Sequence, residues 1–302
     1  MERKEIYEAV QRMQDYIEAH LTEKMTLAIL SREAGFSPWH ANRKFRELTG
    51  KTPFEYIRAL RLSRAALTLR DSDAKVLDVA LDFEFDSHEG FTRAFSKMFG
   101  ITPKRYRVEA PPIKLFMSER IYDYYLIMNR EGERKMPNER AKTVFVQVIE
   151  RPARKLMLKR GVNAESYYEY CDEVGCDVWG VLASVKEALY EPVGLWLPKK
   201  LIAAGTSKYV QGVELPLDFQ KSLPDGFETI DLEPCKIMVF QGEPFQDEKF
   251  EEAIGDVWEA IDSYDPKIYG YEWADDEAPR FQLEPQGYRG YIEARPVKEI
   301  GK

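Results

Sequence analysis

Cysteine is nearly absent: the 302 residues hold three, Cys171, Cys176 and Cys235, an odd number with no C-x-x-C spacing. That excludes a disulfide framework and a paired-thiol zinc site, and it fits reduced thiols. Also missing is any apolar run near the ~18 residues that a membrane-spanning helix needs. The opening Met1-Glu2-Arg3-Lys4-Glu5 has no apolar signal-peptide core. The expected protein is therefore cytoplasmic and has no membrane partner. Histidine is equally scarce, and His20, His40 and His88 all fall in the first third of the chain. The remainder thus has no nucleophile-histidine pair, and neither a metal nor a cofactor is expected.

What is present begins with enough apolar sequence, 44% with 13% aromatic, to build more than one core. The net charge of −8 is unevenly placed. Residues 1–110 carry 19 Lys+Arg against 17 Asp+Glu, whereas the remainder carries 25 against 35. One half tolerates a polyanion and the other repels it, as expected for a DNA-reading module joined to a sensing module.

The first half contains one unit twice. Residues 37–57 align without gaps on 87–107, with identities at Ser37/Ser87, Arg43/Arg93, Phe45/Phe95, Gly50/Gly100, Thr52/Thr102, Pro53/Pro103 and Tyr56/Tyr106. Seven matches in 21 positions exceed the roughly one or two expected by chance. Each unit reads as two short helices around a tight turn. Thr26 is a candidate N-cap for a helix over 27–34, Gly35 supplies the turn, and Ser37-Pro38 opens a second helix to about Leu48. On that helix Ala41, Phe45 and Leu48 form an apolar back, while Trp39, Asn42, Arg43 and Arg46 lie elsewhere. An Arg/Asn front suits the major groove, where Arg forks onto guanine and Asn onto adenine.

These residues resemble the AraC/XylS family of bacterial regulators. Its first motif is matched by Leu27, Ala34-Gly35-Phe36-Ser37, Arg43-Lys44-Phe45, Gly50-Lys51-Thr52-Pro53, Tyr56, Arg61 and Ala65. The second is matched by Val79-Ala80, Phe85-Asp86-Ser87, Phe91-Thr92-Arg93-Ala94-Phe95, Gly100-Ile101-Thr102-Pro103 and Tyr106-Arg107. The resemblance covers about a third of the chain. It implies an all-α double helix-turn-helix over 1–110 that binds double-stranded DNA at a bipartite promoter site. DNA-contacting residues would be Trp39, Asn42, Arg43, Arg46 and Thr52 in the first unit. His88, Glu89, Thr92, Arg93 and Thr102 would serve in the second. Residues 54–70 would be the helix that spaces the two readers. Two departures are visible: Glu84 replaces the usual turn glycine, and Glu89-Gly90 replace better donors on the second reading face. Trp39 is open to a base contact or a place in the core, and Arg93 to DNA or to Asp86.

Pro111-Pro112 ends the module, and 111–142 reads as a linker, with a connecting helix inside it and a charged stretch at 131–142. From 143 to 302 a second duplication appears. Pro152–Met157 pairs with Pro234–Met238, Val174–Trp179 with Ile254–Trp258, and Glu214-Leu215-Pro216 with Glu293–Pro296. Strands are expected over 209–213 and 288–292. The expected fold is α+β, two pseudo-twofold strand-helix-strand-strand repeats.

This half resembles the gyrase-inhibitor-like effector-binding domains that accompany AraC-type and MerR-type DNA-binding modules, through Tyr209–Glu214 and Ile292–Lys298. The resemblance implies a small-molecule cleft between the halves, lined by aromatics around a carboxylate, of the kind used in multidrug sensing. Trp179, Trp196, Tyr209, Tyr271, Trp273, Tyr288 and Tyr291 are the candidate walls, with Glu214 and Glu293 as acids for a lipophilic or cationic effector. Gln282 stands where many relatives carry an acid, which counts against a cation. The expected whole is a ligand-responsive transcription regulator, not an enzyme, whose further partner is RNA polymerase. The alternatives are a hydrolase using Glu214 and Glu293 in one cleft, or a drug-sequestering protein.

Overall fold

The computed structural model describes residues 3–128, 143–246 and 249–301. The chain divides into two compact units, Met1–Met136 and Pro137–Lys302. The charged stretch 131–142 expected as linker lies outside the described residues.

The first unit is helical: α1 (Arg3–Ala19), α2 (Leu27–Ala34), α3 (Pro38–Thr49), α4 (Pro53–Asp71), α5 (Val76–Asp82), α6 (His88–Phe99), α7 (Pro103–Glu109) and α8 (Ile121–Met128). Local chemistry sets the boundaries. Thr26, Ser37, Thr52, Ser87 and Thr102 each cap a helix by accepting a backbone N–H, which satisfies one of the donors that every helix start leaves free. Thr52 and Glu55 complete a reciprocal capping box. Gly35 ends α2 at φ 69°, a conformation in which glycine has no Cβ clash. At the equivalent turn of the second unit Glu84 adopts φ 58°. The substitution has left the turn geometry intact, at the cost of a side chain in the left-handed region.

Two cores result. Val10, Met13 and Ile17 of α1 pack with Leu30, Ala34, Ala41, Phe45, Tyr56 and Leu60. In the second repeat Phe85, Phe91, Phe95 and Tyr106 form a chain of ring contacts 5.0–5.7 Å apart. Part of the segment expected as linker instead packs on this unit. Ile113, Leu115 and Tyr122 are buried, and Phe116 packs edge-on against Tyr56 at 5.0 Å. The Phe116 amide donates to Ser63 Oγ at 2.8 Å, and Gln14 Nε2 donates to the Glu119 carbonyl at 2.8 Å. The double proline did not end the fold because the apolar residues beyond it find a groove between α1 and α4.

The second unit is an antiparallel sheet with helices on one face. Its elements are β1 (Val144–Arg151), β2 (Arg154–Arg160), α9 (Tyr167–Val174), α10 (Asp177–Ala183), β3 (Val193–Trp196), β4 (Tyr209–Leu215), β5 (Glu228–Leu232), β6 (Cys235–Gly242), α11 (Phe250–Ser263), β7 (Tyr271–Trp273), β8 (Arg280–Gln282) and β9 (Ile292–Glu299). The strand order is β1-β6-β9-β8-β3-β4-β2-β5, with β7 on β9. Alternate side chains go to opposite faces. Met157, Tyr209, Val213 and Leu215 meet Tyr170, Val178 and Leu182 of α9 and α10. Met238, Phe240 and Tyr291 meet Val257 and Ile261 of α11. Leu156, Leu158, Val193, Leu195, Val210, Ile237, Val239 and Phe281 form the core of the other face. The strand expected over 288–292 begins only at Ile292; before it, Gln286 and Gly290 close a turn. Gly290, at φ 81°, has no room for a Cβ, which would sit 2.2 Å from the Gly242 carbonyl oxygen.

Among the described residues no helix is long and apolar enough to cross a membrane, and no His/Cys/Asp/Glu group is arranged to hold a metal. None of the three cysteines is joined in a disulfide.

Candidate nucleic-acid interface and ligand cleft

The reading face of α3 is built by burying the opposite side. Ala41 and Phe45 are fully buried, so Trp39, Asn42, Arg43 and Arg46 must point outward, where with Glu47 they line a shallow surface recess. Trp39 is 68% exposed, which removes it from the core. The Arg43 guanidinium lies 5.3 Å from the Trp39 ring centroid and its Nε donates to Glu47 Oε1 at 2.7 Å. Lys44 Nζ donates to Glu47 Oε2, also at 2.7 Å. These bonds, Lys44 first and then Arg43, hold the Glu47 carboxyl below its ordinary pKa range. Arg43 is thus presented as a stacked, clamped fork and not as a free tether. Sequence reasoning missed Glu47, although its i+4 spacing from Arg43 carries the signal.

The second reader is less complete. His88, Glu89 and Arg93 are exposed on α6. Thr92 is half-buried, and its hydroxyl is screened from solvent without a hydrogen-bond partner. Thr52 and Thr102 are occupied locally. Thr52 Oγ1 accepts from the Glu55 amide and donates to Glu55 Oε2 at 2.8 Å, and Thr102 Oγ1 accepts from the Arg105 amide at 3.3 Å. Between the readers, α4 has 19 residues, about 28 Å at 1.5 Å per residue.

In the second unit the register divides the expected ligand residues. Glu214 pairs with Leu156, whose side chain lies in the core away from the helices. Glu293 pairs with Phe240, which faces α11. The two acids therefore occupy opposite faces of the sheet, and the expectation that both flank one cleft is corrected. An acid/base pair of the kind a hydrolase would need is not assembled by these two groups.

Four of the nine expected residues do meet on the helix-bearing face, at the β3–β8 seam. Trp196 packs edge-on against Tyr209 at 5.2 Å. Gln282 Nε2 donates to Tyr209 Oη at 3.1 Å, and Tyr291 Oη lies 3.0 Å from Gln282 Oε1 and 2.9 Å from Glu293 Oε2. Glu293 is fully buried, receives Trp258 Nε1 at 2.8 Å, and is ion-paired with Arg280. Arg280 in turn lies 4.8 Å from the Trp196 ring centroid. Gly194 makes this arrangement possible, since a Cβ there would meet Tyr209 Oη at 2.1 Å. Burial raises the Tyr291 hydroxyl well above its ordinary pKa, and the Glu293 charge adds to this. Burial likewise raises Tyr209.

The remaining expected residues stand apart. Trp273 is a wall of the β6–β9 core, 6.3 Å from Phe240, and carries Arg295 at 4.2 Å. Tyr271 packs on the same cluster. Trp179 is half-buried on α10. Tyr288 is 77% exposed in the turn before β9. Arg280, Trp258 and Gln282 were not among the expected site residues except as Gln282's missing acid. Trp258 was visible only as the repeat partner of Trp179.

Residues 30–109 match the family described as helix-turn-helix domain. The transcriptional regulator Rob of Salmonella typhimurium is 41% identical over 108 residues, 33% of this chain and 37% of Rob. The regulatory protein SoxS of Salmonella typhimurium is 34% identical over 98 residues, 32% of this chain and 92% of SoxS. A solved structure of the DNA-binding domain of AdpA in complex with a target DNA is 24% identical, covering 41% of this chain and 97% of that one at a TM-score of 0.32. The chain spans about a third of the length of Rob.

Proposed function

Since this chain belongs, through its first third, to the AraC family of helix-turn-helix DNA-binding regulators, we propose that it reads a bipartite promoter site and answers to a small molecule held by its second unit. The observation that carries the DNA-reading part is the α3 face: an apolar back seated in the core and an outward-facing front of exposed Trp39, Arg43 and Arg46 with half-buried Asn42. Bases are read chiefly by α3. On α6, His88 and Arg93 mainly grip phosphate, since Glu89-Gly90 supply no donor for a base edge and the Thr92 hydroxyl is screened from solvent. RNA polymerase is the further partner of the DNA-bound protein. A promoter-derived duplex of two helical turns is expected to shift in a gel at low salt and to be released steeply as salt rises. No shift with any upstream duplex of its own operon defeats this reading.

The second unit is a gyrase-inhibitor-like effector domain. The sheet order supports two related halves, since exchanging β1, β2, β3 and β4 with β5, β6, β8 and β9 returns the same order reversed. The seam of the two halves then falls between β3 and β8, where Trp196, Tyr209, Tyr291 and Glu293 converge. The Glu293 charge is met by Arg280 and by two neutral donors. The effector is therefore an aromatic, lipophilic molecule that stacks on Trp196, not one selected by its positive charge. Quenching of tryptophan fluorescence by a neutral polycyclic aromatic, lost in Trp196→Ala, tests this; stronger quenching by its quaternary-ammonium analogue contradicts it.

A further inference from the structure

The sheet face away from the helices holds a cavity of about 150 Å³ between β3, β4, β8 and the end of β1. Phe281, Leu283 and Val193 form its apolar wall, and Arg151, Glu214 and Tyr190 its polar rim. Two buried polar atoms in that rim lack hydrogen bonds: Glu214 Oε2, an acceptor, and Arg151 Nε, a donor. Glu214 is 4% exposed. Its other oxygen accepts from Arg154 Nε at 2.7 Å, while Arg151 Nη1 stands 3.6 Å from Oε2, too long for a hydrogen bond. The Arg151 guanidinium is held by rings instead, 3.5 Å from the Tyr190 centroid and 5.9 Å from that of Phe281. Glu191, also on the rim, is engaged by both Nη atoms of Arg289 at 2.6 and 2.7 Å.

Unmet buried donors and acceptors are costly, and they sit here beside an apolar wall. The cavity exceeds one water's share of liquid volume, ~30 Å³, and admits a ring the size of benzene. A ligand carboxylate suits Arg151 but meets Glu214; an ammonium suits Glu214 but meets Arg151 and Arg154. A planar primary amide or lactam offers a donor and an acceptor along one edge and carries no charge.

We propose that this cavity is a second ligand site, for a small uncharged aryl carboxamide or lactam whose amide edge bridges Glu214 Oε2 and Arg151 while its ring rests on Phe281 and Leu283. The site is independent of DNA reading and of the Trp196–Glu293 seam on the helix-bearing face. The test uses the full chain with benzamide, benzoate, benzylamine and toluene as probes, in saturation-transfer NMR and calorimetry. Benzamide binds at least about tenfold more tightly than either charged analogue. Leu283→Trp, which fills the cavity, weakens it by at least about tenfold, and Tyr190→Ala, at a half-exposed position, weakens it by freeing Arg151. Trp196→Ala leaves it unchanged. The proposal is overturned if benzamide does not bind, if benzoate or benzylamine binds as well or better, or if Trp196→Ala abolishes binding. It is also overturned if Leu283→Trp and Tyr190→Ala, with unaltered melting, both leave binding intact.

Discussion

Arg43→Ala separates reading from gripping. A fork on guanine contributes about 1–3 kcal/mol of discrimination. To make it, Arg43 gives up Glu47 Oε1, a pair whose side chains are 57% and 40% exposed; such surface pairs contribute about 0–1 kcal/mol. The stacking on Trp39 need not be lost, because a ring face and a base edge engage the guanidinium from different directions. Taking about 0.5 kcal/mol for that pair, the net loss for the alanine variant is about 0.5–2.5 kcal/mol, or roughly 2- to 70-fold in affinity. It should be confined to duplexes carrying the preferred base at one position. The assay is fluorescence anisotropy on a labelled promoter duplex and on single-base variants, repeated across salt concentrations. A base contact leaves the slope of log K against log salt unchanged, whereas a phosphate contact lowers its magnitude by about 0.9. Equal weakening for every sequence, with the slope reduced, would refute the assignment of Arg43 to a base.

Glu84→Gly should stabilise the first unit by about 0.5–1 kcal/mol in urea unfolding, since φ 58° penalises a side chain; Gly35→Ala, at φ 69°, should destabilise by about 1 kcal/mol or more. Arg154→Met leaves the buried Glu214 carboxylate with Arg151 at 3.6 Å in place of a hydrogen-bonded partner and should cost about 3–5 kcal/mol by the same assay; a loss below ~1 kcal/mol would mean the pair is not desolvated. Arg280→Ala should open Glu293 to an organic cation, so that a quaternary-ammonium dye which the native protein ignores becomes a ligand in dye titration. Burial pushes the Tyr106 hydroxyl up to about 12 and raises Tyr56, Tyr170 and Tyr209 as well. The unfolded chain releases these protons near pH 10 while the folded one keeps them. Stability should therefore be intact below pH 10 and fall between about 10 and 12, read by urea titration at stepped pH; constancy across that window would show the hydroxyls to be solvated.

The helical half was legible in the sequence because its determinants are local. Thr26, Ser37, Thr52, Ser87 and Thr102 cap the helices they precede, Gly35 ends the one it follows, and the positions of Ala41 and Phe45 already oriented Asn42 and Arg43 outward, whereas Trp39, open to either side in the sequence, was placed outside the core only by the structure. The burial of the Thr92 hydroxyl was not legible, because a helical wheel does not tell how deeply a partly buried position sinks beside Phe91 and Phe95. Residues 113–122 had no periodicity to betray that they would pack on α1 and α4. In the sheet half, composition supplied the aromatics and the acids but not their side. A strand reverses its facing at each residue, so whether Glu214 and Glu293 share a cleft depends on pairing partners tens of residues away. Only the register to Leu156 and to Phe240 separated them, placed Arg280 and Trp258 on one acid, and left Glu214 with Arg151 and Arg154 on the other face.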